Sequence, residues 1–273
     1  MPELPEVETV KRTLESLIIG KQIENVTVSL PRIIRKLAVD EFRRRLVGRE
    51  IERIDRRGKF LKIVCNPWTL ISHLRMEGKY RLVNKEEPIE KHTHVIFHFT
   101  DNTELRYKDV RQFGTMDLVP TGEEEKHPPL VTLGIEPFAK NFTSEWLKQN
   151  LRQRKAKLKS LLLNQTFIVG LGNIYVDEVL FQAKIHPERV ASTLTEEEID
   201  RLHFYIRKVL TEAIEAGGTS VRTYRNGKGE MGYFQVKLQV YGRKNQPCYR
   251  CGRLIERIVV AGRGTHLCTN CQQ

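Results

Sequence analysis

The spacing of apolar residues changes twice along this chain. In the first 20 positions Val7, Val10, Leu14, Leu17 and Ile18 recur at helical intervals and Gly20 supplies a stop, so a helix opens the sequence. Pro5 suits its first turn, and Glu3, Glu6 and Glu8 place negative charge at the positive end of its dipole. From 22 to 119 the pattern shortens to runs rich in β-branched and aromatic residues: QIENVTVSL, EIERIDRRG, KFLKIVC, LISHLRM, KYRLV, THVIFHFT and ELRYKDV. Arg57-Gly58 and Asp101-Asn102 read as turns, and DEFRRRLVG as a short helix within the set. Consecutive short strands predict a β-sandwich or barrel.

Residues 120–137 are polar and proline-containing and read as a linker. Helical spacing then returns in SEWLKQNLRQRKAKLKSLLLNQ, in NIYVDEVLFQAKI and in TEEEIDRLHFYIRKVLTEAIEAGG. The last has a capping box at Thr195 and Glu198 and a stop at Gly217-Gly218. Residues 217–233 form a long polar, glycine-rich loop, of a kind that either carries function or stays without fixed structure. There is no internal repeat.

A length of 273 residues allows one large domain or two ordinary ones. No apolar run is long enough to span a bilayer, and MPELPEVETV lacks the parts of a signal peptide, so a cytoplasmic location is expected. The net charge of +12 is uneven: residues 1–130 hold 24 Lys and Arg against 21 Asp and Glu, while residues 131–273 hold 22 against 13. A basic half points to a polyanion, most often nucleic acid, although charge alone also fits a merely basic protein.

Four of the five cysteines fall in two CxxC pairs, Cys248/Cys251 and Cys268/Cys271, separated by 16 residues. That spacing fits one structural Zn²⁺ held by four thiolates; two disulfides are the alternative, which a reducing cytosol disfavours. The segment between the pairs reads as a hairpin with its turn at Gly262-Arg263-Gly264, where Arg263 is either a phosphate grip or a solvated turn arginine. Cys65, alone in a strand, reads as an inert buried thiol. Gly170-Leu171-Gly172 lacks the third glycine and the context of a dinucleotide fingerprint, so no nucleotide cofactor is expected.

Removal of Met1 would leave Pro2 with a free secondary amine, able to form an iminium with a sugar carbon, and Glu3 beside it to move protons. Spacing alone equally fits a proline that starts a helix. Taken together, however, PELPEVETV, RRGKFL, SHLRMEGKY, DVRQFGT, GLGNIYVDEVLF, LQVYGR, VAGRGTH and the terminal four-cysteine finger resemble the bacterial formamidopyrimidine-DNA glycosylase (8-oxoguanine glycosylase) family over essentially the whole chain.

The resemblance implies an α+β, multidomain fold: a β-sandwich with flanking helices (1–130), a helix-two-turn-helix domain (131–225) and a zinc-finger hairpin (226–273), with damaged double-stranded DNA in the cleft between the halves. It implies Pro2 as nucleophile on C1′, Glu3 as general acid/base, Lys59 as an aid to β-elimination, and Arg263 on the phosphates flanking the lesion, assisting δ-elimination. Asn173 would bind a phosphate at a helix N-terminus, where the alternative is an ordinary N-cap. Met76, Arg111 and Phe113 would form the wedge that replaces a flipped base, though by pattern alone Met76 and Phe113 read as core. His73, His92, Arg154, Tyr241 and Arg257 are candidate phosphate or groove contacts, and Thr219, Arg222, Thr223 and Tyr224 a candidate cover for the base. A monomer is expected. The rival readings are an endonuclease-VIII-like pyrimidine glycosylase (whose PEGPE start differs at Leu4), a non-catalytic zinc-finger nucleic-acid-binding protein and a ribosome-associated basic protein.

Overall fold

The computed structural model describes residues 1–219 and 233–273. The chain divides into two compact units, Met1–Thr132 with Gly217–Tyr233, and Leu133–Ala216 with Phe234–Gln273.

The first unit begins with helix α1 (Leu4–Ile18), whose Val7, Val10, Leu14 and Ile18 are fully buried as their spacing requires. Strand β1 (Ile23–Val28) and helix α2 (Val39–Leu46) follow, then β2 (Arg53–Arg57), β3 (Phe60–Cys65), β4 (Trp68–His73), β5 (Lys79–Asn84), β6 (Thr93–Phe99), β7 (Thr103–Lys108) and β8 (Thr115–Pro120). They form two antiparallel four-stranded sheets, β1-β6-β7-β5 and β2-β3-β4-β8. Leu61 and Leu70 of one sheet share a core with Phe97, Phe99 and Tyr107 of the other and with the apolar face of α1, which makes the unit a β-sandwich with flanking helices. Alternation does not single out β8, because five of its six residues are buried.

The second unit is helical: α3 (Ser144–Leu151), α4 (Leu158–Leu163), α5 (Asn173–Ala183) and α6 (Glu196–Glu215), then a hairpin of β9 (Glu256–Val260) and β10 (Arg263–Leu267). The Thr195–Glu198 capping box is present, with reciprocal bonds of 3.2 and 2.8 Å. The single helix expected over SEWLKQNLRQRKAKLKSLLLNQ is instead broken between α3 and α4. There the backbone turns outward to pair with 187–192: Leu158 N–H donates to the Arg189 carbonyl, Lys159 N–H to that of Pro187, and Ala191 N–H to that of Ala156. These distant partners satisfy groups that a continuous helix would have used internally.

The expected hairpin turn also shifts. Ala261 and Gly262 are the two turn residues, with φ of 50° and 72°, and Arg263 is the first residue of β10, paired with Val260. A two-residue turn with both φ positive matches the twist of the strands it joins. The segment read as a linker is structured in part: Glu124 is buried and accepts the Thr69 hydroxyl at 2.9 Å and the Gly122 N–H at 3.1 Å. Among the described residues no helix is long and apolar enough to cross a membrane.

Candidate functional site

In the first unit the start of the chain is built into the core. Met1 is 46% exposed, whereas Pro2 and Glu3 are buried. Chain ends usually fray, so this one is held. Glu3 is the N-cap of α1 and forms a capping box with Glu6, whose Oε2 accepts the Glu3 N–H at 2.9 Å. The other Glu6 oxygen accepts the N–H and hydroxyl of Thr219 at 2.7 and 3.0 Å. Gly218, at φ 80°, must be glycine here, since a Cβ would lie 2.8 Å from Glu6 Oε1. Arg222, Thr223 and Tyr224 lie outside the described residues.

Lys59 is buried in the two-residue turn Gly58-Lys59 between β2 and β3, with Gly58 at φ 55°. Arg56 ties that turn to the first helix, donating to the Gly58 carbonyl at 2.9 Å and to Glu8 at 3.0 Å. Burial pushes the Glu8 carboxyl upward, but Arg56, Lys11 and Arg12 outweigh it and hold its pKa below the usual range. His73 pairs across the sheet with Phe60, next to Lys59. Its Nδ1 accepts the Arg75 N–H at 2.9 Å, and burial, then Arg75 and Lys59, push its pKa down to about 3. The ring is therefore neutral, with its N–H on Nε2.

Met76 and Phe113, which pattern alone assigns to the core, are 38% and 52% exposed, and the Arg111 guanidinium stands 5.0 Å from the Phe113 ring. His92, at φ 70°, accepts the Asp109 N–H on its carbonyl at 3.0 Å. Cys65 is buried, and burial pushes its thiol up to about 12, so it is inert as expected.

In the second unit the four sulfurs of Cys248, Cys251, Cys268 and Cys271 lie within 4.8 Å of one another. Cys251 and Cys268 approach to 3.5 Å and Cys248 and Cys271 to 4.0 Å. Those separations are far from the roughly 2.05 Å of a disulfide and close to the roughly 3.8 Å between thiolates on a tetrahedral Zn²⁺. The residues therefore fit one structural zinc with no open position.

Helix α5 holds the hairpin that this cluster closes. Lys159 and Asp177, both fully buried, form an ion pair at 2.6 Å. The second Asp177 oxygen accepts the His266 N–H at 2.8 Å. Asn173 Nδ2 donates to the Gly264 carbonyl at 2.8 Å, and Lys159 reaches the same carbonyl at 3.3 Å, directly after exposed Arg263. Asn173 is the first residue of the helix rather than its N-cap, which is Gly172, and its buried Oδ1 has no hydrogen-bond partner among the described residues. The Arg257 side chain lies across Gly264, where a Cβ would fall 2.6 Å from its guanidinium. Glu178 accepts the N–H groups of Gln239, Val240 and Tyr241 at 2.8 to 3.0 Å. Burial raises its pKa against the pull of those bonds. Tyr241 packs edge-on against His266 at 5.1 Å. Exposed Arg154 has its guanidinium 5.7 Å from the Phe167 ring.

The sequence reading missed the bonding roles of Glu6, Asp109, Lys159, Asp177 and Glu178. One signal was available: α5 is apolar on nearly every face, so its two adjacent carboxylates had to be buried and partnered.

The chain combines a β-sandwich with an anchored start, a helical unit and a hairpin closed by four cysteines. Residues 1–116 match the formamidopyrimidine-DNA glycosylase N-terminal domain, 133–225 the H2TH domain of the same enzymes, and 245–273 the zinc finger found in FPG and IleRS. The formamidopyrimidine-DNA glycosylase of Brevibacillus brevis is 58% identical over 274 residues, covering 100% of this chain and 99% of that protein. That of Cytobacillus firmus is 58% identical with full coverage of both. A Lactococcus lactis FPG mutant in complex with Fapy-dG containing DNA superimposes with a TM-score of 0.94 at 45% identity, covering 100% of both chains. The L. lactis enzyme with abasic-site DNA gives 0.94 at 45%, covering 99% of each. The chain belongs to the formamidopyrimidine-DNA glycosylase family.

Proposed function

We propose that this chain excises oxidised purines, 8-oxoguanine and formamidopyrimidines, from duplex DNA and then cleaves the strand, with Pro2 as nucleophile. The observation that carries this reading is the buried, hydrogen-bonded chain start, where Glu6 fixes the N–H of Glu3. With Met1 removed, the Pro2 nitrogen has a lone pair. It bonds to C1′, the bond from C1′ to the base breaks, and the base leaves with a proton that Glu3 supplies. The Pro2 nitrogen then loses its proton and the C1′–O4′ bond breaks, O4′ taking a proton, which opens the sugar and leaves an iminium. The iminium acidifies C2′–H; loss of that proton expels the 3′ phosphate, and loss of a C4′ proton in a second elimination expels the 5′ phosphate. Hydrolysis of the imine then frees Pro2.

The remaining assignments follow the same scheme. Lys59 assists the first elimination and Arg263 the second, while Asn173 and the basic residues His92, Arg154 and Arg257, with Tyr241 and neutral His73, contact the DNA backbone or groove. Met76, Arg111 and Phe113 fill the space of the extruded base; their exposure supports this. Zn²⁺, when bound by the four cysteines, supplies structure and no reacting group. We assign the three regions 1–130, 131–225 and 226–273 to catalysis, DNA binding and the finger, and a monomer acting on bacterial cytoplasmic, nucleoid-associated DNA.

Borohydride trapping on 8-oxoguanine duplex, followed by mass spectrometry, tests this. A covalent adduct at Pro2, absent in Pro2→Gly, is expected. An adduct on a lysine side chain, or faster excision of thymine glycol than of 8-oxoguanine, overturns the respective part.

A further inference from the structure

We infer that Asp109 is the positioning residue of the base-displacing wedge, and that Tyr107 joins the two loops carrying the wedge into one rigid body. The inference rests on the glycosylase reading above and deepens it.

Asp109 follows β7 and is fully buried. The N–H groups of three wedge-loop residues converge on it. Its Oδ1 accepts from Arg111 at 3.1 Å, its Oδ2 from Gly114 at 2.8 Å, and its carbonyl from Gln112 at 3.3 Å. The residue is itself pinned from the neighbouring strand: its N–H donates to the His92 carbonyl at 3.0 Å, and the His94 ring bonds its carbonyl at 2.9 Å. Loop 110–114 is therefore wrapped around one side chain whose own backbone cannot shift.

Tyr107 connects this loop to the other. Its ring is fully buried against Tyr80, at 5.1 Å, and its hydroxyl lies 3.5 Å from Asp109 Oδ2. A Cβ on Gly114 would fall 1.7 Å from that hydroxyl, and a Cβ on Gly78 2.3 Å from it. The hydroxyl is wedged between the two loops at the points where only glycine fits. Gly78 closes the turn that carries Met76, through its N–H to the Leu74 carbonyl at 2.9 Å. Beside the tips, Arg75 and Gln112 take left-handed φ of 51° and 57°, a strained conformation for such residues that persists because the bonds beneath over-determine it.

A wedge entering the base stack must oppose the cost of unstacking, and a loose one would also be ordered at that moment. A rigid one has been ordered in advance. The consequence is a split between steps: extrusion of a base depends on Asp109, whereas chemistry at a sugar that has already lost its base does not.

The test uses the full chain with Asp109→Asn and Tyr107→Phe, on a duplex carrying 8-oxoguanine and on the same duplex with a preformed abasic site, with 2-aminopurine beside the lesion as reporter. Asn keeps the shape but turns an NH₂ toward one loop N–H. Asp109→Asn is expected to slow single-turnover base excision about tenfold or more and to diminish the 2-aminopurine signal, with abasic-site cleavage changed less than about threefold. Equal loss on both substrates, or loss on neither, overturns the inference. Should Asp109→Asn not fold, Tyr107→Phe decides by the same ratio. A wild-type protein inert on the 8-oxoguanine duplex overturns the glycosylase reading, and this inference with it.

Discussion

The Glu6 carboxylate accepts both the backbone N–H and the hydroxyl of Thr219, 213 positions further along the chain. Through its other oxygen it holds the N–H of Glu3, so one side chain joins the start of the protein to Thr219.

Replacing Glu6 by Gln turns an NH₂ toward Glu3 or Thr219, where a backbone N–H already points. The unmet donor costs about 1–3 kcal/mol, and loss of alignment at the chain start should slow base excision by about tenfold or more. Urea unfolding and single-turnover excision measure the two effects; unchanged excision would show that the link does not matter to catalysis.

His73 makes stability depend on pH. The unfolded ring takes a proton near 6.5, while the folded one, disfavoured by burial, Arg75 and Lys59, resists until about 3. Stability from the neutral ring is therefore fully present above the unfolded value and is lost as the pH falls through 6.5 toward 3. Lowering the pH from about 7.5 to about 5 should cost the wild type about 2 kcal/mol more than His73→Asn. Urea unfolding at both pH values checks this, and identical pH dependence of the two proteins would contradict it.

Lys159 and Asp177 have no exposed surface, so breaking the pair strands a charge. Asp177→Asn should destabilise the protein by about 3–5 kcal/mol, and the double variant Lys159→Met/Asp177→Leu should regain much of that. Chemical denaturation gives both numbers; a double variant no better than the single one would mean that the bond to the His266 N–H carries the effect instead.

Metal removal should act on DNA binding. Chelation leaves four thiols around an empty centre, and the hairpin bearing Arg263 loses its closure. Affinity for damaged duplex should fall about tenfold or more and return with added Zn²⁺, whereas Cys268→Ser should not be rescued. Filter binding with parallel zinc quantitation decides; tight binding without metal would refute the link.

What was legible beforehand was local. The apolar face of α1, the Thr195–Glu198 capping box, a turn at Gly58 (read as Arg57-Gly58, found at Gly58-Lys59) and the two CxxC pairs each reside within a few residues, where backbone geometry allows few outcomes. The break after α3 was not legible, because its cause lies in carbonyls some 30 positions on. Nor was the exposure of Met76 and Phe113, since their side chains are as apolar as any in the core.

Periodicity and residue chemistry were thus enough for most of the elements, the zinc ligands and, through its motifs, the family. The assignment of buried charges had to await folding: Glu6 to Thr219, Asp177 to Lys159, and Asp109 to the wedge loop. A buried carboxylate must find donors, but which donors reach it depends on how distant segments are packed, and that information is carried by no single stretch of the chain.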